Sequence, residues 1–138
     1  MKLVKLIMGL KGSGKTKNLI EMIRIAEEVE NGDIVVIEKG EKLRYDVPYK
    51  IRLVEASQYD FDSYDFLKGF ICGLYSANYD ITHIFIDSVL RIIGVKYDDN
   101  ADDFLLWCED FAKRENVKFT VTFSADVSLA TDKAKQYF

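Results

Sequence analysis

The chain has 138 residues, a formal net charge of −4, one proline and eight glycines, with 49% hydrophobic and 30% charged residues. Those figures fit one globular domain spanning 1–138 and exclude disordered, collagen-like and low-complexity scaffolds. The acidic balance gives no general footprint for nucleic acid, and no apolar run approaches the roughly 18 residues of a membrane span.

In chain order, Leu3–Met8 is almost wholly apolar, which predicts a strand buried on both faces. Lys5 breaks that patch and no small-residue cleavage site follows, so the segment is not read as a targeting signal and the protein reads as cytoplasmic. From Thr16 to Glu30, the spacing of Leu19, Met22, Ile23, Ala26 and Val29 predicts an amphipathic helix, stopped by Asn31-Gly32-Asp33. Ile34–Glu38 is a second buried strand, and Ile51–Val54, past Pro48, is a weaker third.

Ser63 is placed to cap a helix that turns Phe66, Leu67, Phe70, Ile71 and Leu74 inward. Gly69, Gly73 and Ala77 form a small-residue face expected to sit close to a sheet. Ile81–Asp87 is the fourth strand. Asp102 and Asp103 are expected to open a helix carrying Phe104, Leu105, Trp107, Cys108 and Phe111 inward, and Lys113-Arg114 close it in keeping with the helix dipole. Val117–Ser124 is the fifth strand, and the tail from Asp126 to Phe138 is a short helix or ordered extension. Cys72 and Cys108 form neither a metal-ligand pair nor a disulfide framework and are expected to be reduced and buried. The alternation predicts an α/β fold with a mostly parallel five-stranded sheet and helices on both faces. Ligands of such sheets bind beyond the carboxyl ends of the strands.

There, directly after the first strand, stands Gly9-Leu10-Lys11-Gly12-Ser13-Gly14-Lys15-Thr16, which fits GxxxxGK[ST] at every fixed position. The glycines let successive backbone N–H groups turn toward phosphate oxygens, and the helix N-terminus adds its dipole. Lys15 is suited to the β- and γ-phosphates and the Thr16 hydroxyl to Mg²⁺. At average glycine usage, a chance match in a chain of this length is roughly a half-percent event. The first twenty residues also hold Lys2, Lys5, Lys11, Lys15 and Lys17 and no acid, a local charge suited to a compact anion. Ile84-Phe85-Ile86-Asp87 supplies the complementary element, an apolar strand ending in a carboxylate for the metal side.

On these two motifs the chain resembles P-loop nucleoside triphosphatases over essentially its whole length, with a three-layer fold. Ile86-Asp87-Ser88-Val89-Leu90 is most similar to the corresponding strand end of RecA-like ATPases. More loosely, the sequence is similar to small bacterial proteins labelled only as ATP-binding, some by analogy with twitching-motility ATPases. The resemblance implies a Mg²⁺-dependent ATP-binding protein, a slow ATPase, with Gly9, Gly12, Ser13, Gly14, Lys15, Thr16 and Lys17 at the nucleotide and Thr16 and Asp87 at the metal. The alternatives are a nucleotide-gated binding module and, behind it, a small kinase. No NKxD tetrapeptide for guanine occurs, no CxxC pairs for the zinc ribbon of thymidine kinases, and no second loop lysine at Leu10 as in partition-type ATPases. No segment is long enough for a kinase lid.

Many related hydrolases place a glutamate directly after the metal aspartate; here that position is Ser88. RecA-like proteins instead use the end of the strand after the first helix, which makes Glu38 the candidate catalytic base beside Lys15, with Glu41 behind it. Ser124, ending the last strand, is the candidate γ-phosphate sensor, ahead of Asp126. Arg91 is considered as a finger toward a neighbouring subunit, and Tyr45, Tyr49 or Tyr59 as an adenine-stacking ring. His83 and Trp107 read as structural. A nucleoside triphosphate is the expected partner, and a protein partner or homo-oligomer is left open.

Overall fold

The computed structural model describes residues 2–41 and 43–138 of the chain. The apolar runs become strands β1 (Val4–Gly9), β2 (Asp33–Glu38), β3 (Arg52–Glu55), β4 (Ile81–Ile86) and β5 (Lys118–Ser124). Between and after them lie α1 (Lys15–Val29), α2 (Tyr64–Ala77), α3 (Val89–Ile93), α4 (Asp99–Glu115) and α5 (Asp132–Lys135). The strands form one five-stranded sheet in the order β1-β5-β4-β2-β3. Every neighbouring pair is parallel, so the sheet is wholly rather than mostly parallel.

Alternation along each strand divides the interior into two cores. Ile34 and Val36 of β2 and Phe85 of β4 meet Leu19, Ile23 and Ala26 of α1 on one face. Val35, Ile37, Ile84 and Ile86 face the other way, toward Leu67 and Ile71 of α2 and Phe104, Leu105 and Cys108 of α4. Parallel neighbours need a long crossover, and between β2 and β3 the described residues supply no helix. Instead Leu43, Val47 and Ile51 of the connecting segment plug the α1-side core.

Several sequence expectations are corrected. Val29 is 66% exposed and lies off the buried stripe of α1. Gly69, Gly73 and Ala77 face solvent, and a Cβ on either glycine would meet no atom within 4 Å. The larger stripe through Leu67 and Ile71 wins the sheet and turns the small residues outward. Phe66 is likewise exposed, although its ring packs on Phe61. Cys108 is buried but Cys72 is exposed, and both thiols are free. α4 opens at Asp99, a turn before the expected Asp102, because the Asp98 carboxylate caps it by accepting the Asn100 N–H at 2.9 Å. Asp102 is instead buried, accepting hydrogen bonds from the Tyr97 hydroxyl at 3.0 Å and the Thr131 hydroxyl at 2.8 Å, which ties the tail to α4. Trp107 lies partly buried against Phe104 and Phe111, as core packing requires. No helix among the described residues is long and apolar enough to cross a membrane.

His83 sits within the sheet, stacked on Phe85 with ring centroids 4.1 Å apart and with Nε2 2.9 Å from the Thr120 hydroxyl. Beside it, Lys118 Nζ donates to the buried Glu30 carboxylate at 2.5 Å. Burial pushes the imidazole down to about 4, against the upward pull of Glu30 and with a smaller downward push from Lys118, so the ring is neutral in the fold at pH 7. Burial alone would raise the Glu30 carboxyl, but the Lys118 hydrogen bond and charge hold it below its ordinary value. An unfolded chain protonates His83 near pH 6.5 and the folded chain only near 4, so between those values the unfolded state binds more protons. Stability is therefore complete above pH 6.5 and falls as the pH drops toward 4, by about 3 kcal/mol from this residue. Glu30, lowered in the fold, is lost in the same direction below its ordinary 4.5. Denaturant titrations across this range are expected to give a falling midpoint in the wild type and a flatter profile in His83→Gln; parallel profiles would refute the assignment.

Candidate functional site

All five strands run the same way, so their carboxyl ends share one rim. Gly9 is level with Ser124, while Ile86 is level with both Ile37 and Val121. One residue further on, Asp87, Thr122 and Glu38 stand on that rim in neighbouring positions.

The segment between β1 and α1 curls tightly. Gly12 and Gly14 take φ of 86° and 88°, a region in which a side chain is strained. The Leu10 carbonyl accepts both the Ser13 N–H and the Lys15 ammonium, each at 3.1 Å. Gly9 lies so close beneath Ser13 that a Cβ there would strike the hydroxyl. No side chain caps the N-terminus of α1, and no acid stands in its first turn. α2 and α4, by contrast, are capped by Ser63 and Asp98. The N-cap residue Gly14 has no side chain to offer, and the loop meets the positive end of a helix 15 residues long.

A cavity of about 640 Å³ opens over this end, within the roughly 300–1,000 Å³ typical of small-molecule sites. Among the described residues the cations Lys11, Lys15, Lys17 and Arg91 line it, together with the hydroxyl side chains Thr16, Ser88 and Ser124. Gly12 and Gly14 also line it, and among the described residues no carboxylate does. A second cleft, of about 440 Å³, shares Gly14 and Lys15 but extends the other way past Gly9 and Ser13 to Asn18, Asp126 and Val127. Asp126 therefore belongs to this second cleft, where its carboxylate accepts the Ser128 N–H and is held below its ordinary value by that bond.

Asp87 is buried one residue before Ser88, which lines the cation-lined cavity, while Asp87 itself is not among the lining residues. Its Oδ1 accepts the Thr122 hydroxyl at 2.8 Å, and the same hydroxyl oxygen accepts the Ser88 N–H at 2.7 Å. Ser88 has φ 60° and ψ 59°, a conformation that costs a residue with a side chain energy and persists only where its surroundings hold it. Thr122 supplies that hold, and the Ser88 and Ser124 hydroxyls lie 3.3 Å apart. Thr122 was not singled out from sequence, because a threonine inside an apolar strand reads only as a strand former.

Glu38 is 3% exposed, and its Oε2 accepts the Leu43 N–H at 2.7 Å. It stands beside the Asp87 strand but is not among the residues lining the cavity. Glu41 is exposed and lies 3.9 Å from Arg44. Tyr45 and Tyr49 are fully solvent-facing in the segment leading to β3, the edge opposite β1 and about 19 Å away at the usual strand spacing. Tyr59 packs on Phe61 and Phe70. None of the three rings is brought to the curled loop.

The donor set near the cavity suits a hard cation. Thr16 and Asp87 offer oxygen only, and a magnesium ion bound through a carboxylate, a hydroxyl and ligand phosphates keeps water for its remaining positions. Such an arrangement needs no cage of protein ligands, and among the described residues no three His, Cys, Asp or Glu side chains converge to make one. No protein-family model and no curated protein matches the chain.

Proposed function

We propose that the chain is a P-loop protein of RecA-like type that binds Mg·ATP through the β1–α1 loop and hydrolyses it slowly. The observation that carries this reading is the meeting of the α1 N-terminus with Lys11, Lys15 and Lys17 in one cavity that no carboxylate lines among the described residues. That is a site for several adjacent negative charges. The parallel sheet also supports the reading, since the loop strand β1 and the aspartate strand β4, with β5 between them, end on the same rim. Lys15 would bind the outer phosphates, Gly12 and Gly14 would let the loop amides follow them, and Ser124 would contact the terminal phosphate. Thr16 and Asp87 would hold Mg²⁺, which when bound neutralises charge on the phosphates.

A nucleotide-gated binding module is the second reading. It is favoured by the Glu38 carboxylate, which is engaged by the Leu43 amide and does not line the cavity. Thermal unfolding with and without Mg·ATP tests the part that both readings share. Ligand at 100 times its dissociation constant stabilises by about 2.7 kcal/mol, a shift of several degrees for a chain of this size. Lys15→Ala is expected to abolish the shift. Equal shifts in wild type and Lys15→Ala would overturn both readings.

A further inference from the structure

We propose that Arg91 binds the terminal phosphate from within its own chain and so makes the site discriminate nucleoside triphosphate from diphosphate. This rests on the Mg·ATP reading above and departs from the sequence expectation of a finger reaching into a neighbouring subunit.

α3 is a single turn, and Val89, Leu90, Ile92 and Ile93 are all buried in it. Arg91 is its one exposed residue, and that side chain lines the cation-lined cavity together with Lys15 and Ser124. The four apolar neighbours fix the turn, so the guanidinium is presented from a rigid base rather than a mobile loop. The base is fixed again at its start. Both the Arg91 and Ile92 N–H groups donate to the Ser88 carbonyl at 3.0 Å, and Ser88 is held by Thr122. Among the described residues Arg91 forms no ion pair. An unpaired arginine in an otherwise apolar turn gains nothing from the fold, whereas its planar fork matches a phosphate closely.

The layout also says which phosphate. The two cavities meet at Gly14 and Lys15. The cleft toward Asn18, Asp126 and Val127 offers an amide, a carboxylate and an apolar side chain, a setting for a base or sugar. Among the described residues, the cavity toward α3 is lined by cations, hydroxyls and glycines, a setting for phosphates. α3 follows Asp87 directly, so Arg91 lies at the metal side, the end of the chain of phosphates farthest from the base.

The test is calorimetric titration of the full chain with a slowly hydrolysed Mg·ATP analogue and with Mg·ADP. Arg91→Ala is expected to weaken the triphosphate by about tenfold or more while leaving the diphosphate within about threefold, and Arg91→Lys to recover part of the loss. Arg24→Ala, on the exposed face of α1, removes the same charge away from the cavity and is expected to leave both affinities unchanged. An unchanged ratio of triphosphate to diphosphate affinity in Arg91→Ala overturns the proposal while the Mg·ATP reading stands. Discrimination that disappears on diluting the wild type overturns the placement within one chain. A wild type that binds neither nucleotide overturns the proposal and the Mg·ATP reading together.

Discussion

Thr122→Val is expected to lower the unfolding free energy by about 2–5 kcal/mol, a larger loss than most single substitutions cause. Valine has nearly the shape of threonine, so the change opens no cavity at a position 0% exposed to solvent. What it removes is polar. The Asp87 carboxylate loses the hydroxyl that donates to it at 2.8 Å, and the Ser88 amide loses its acceptor at 2.7 Å. Both groups are buried, and the carboxylate carries charge, which makes an unmet hydrogen bond there more costly than a neutral one. The Ser88 backbone, held in a left-handed conformation, is then released from its anchor. Thr122→Ser keeps the hydroxyl and deletes one methyl group, a loss of about 1 kcal/mol. Urea unfolding of the three proteins separates these effects. A Thr122→Val protein as stable as wild type would mean that the hydroxyl does not organise the strand end.

How much of this was legible in the sequence depends on the length scale of each signal. The five strands and the α1 stripe announce themselves through several apolar residues each, and hydrophobic burial dominates at that scale. The loop was legible because four fixed residues occur in one register between a strand and a helix. α3 was not, since five residues give no period to read. Arg91 could therefore be noticed but not aimed. Asp98 and Asp102 show the limit of local chemistry: either can cap a helix, and only the contacts of Tyr97 and Thr131, the latter far along the chain, draw Asp102 inward. Strand order was equally hidden. Nothing in the local sequence of β5 says that it lies between β1 and β4, and that order is what separates Tyr45 and Tyr49 from the loop. The outward turn of Gly69 and Gly73 follows from a competition between two faces of α2, which the spacing alone did not decide.

Glu38→Gln is expected to reduce ATP turnover by about 10²–10⁴-fold, the usual contribution of a general base, and to leave Mg·ATP affinity unchanged. Ser88, next to Asp87, carries a hydroxyl and cannot accept a proton from water at neutral pH as a carboxylate does. If the protein hydrolyses ATP, the base comes from another point on the rim. Glu38 is the carboxylate ending β2, the strand that pairs with β4 in the register Ile37 to Ile86. One of its oxygens accepts the Leu43 amide at 2.7 Å, so on the hydrolase reading this residue would anchor the segment after β2 and serve as the base as well. The glutamine variant separates the two roles. Its carbonyl oxygen still accepts the Leu43 N–H, so that anchoring hydrogen bond is kept, while the basicity is gone. Glu38→Ala removes both and should also lower stability by about 1–3 kcal/mol through the unsatisfied amide. Glu41→Gln, exposed and nearby, controls for the charge of the loop. Wild-type turnover in Glu38→Gln would leave Glu38 an anchor alone. A wild type with no turnover, in which Mg·ATP still raises the melting temperature, would favour the nucleotide-gated module, because an anchor that orders the loop beside a bound triphosphate needs no base.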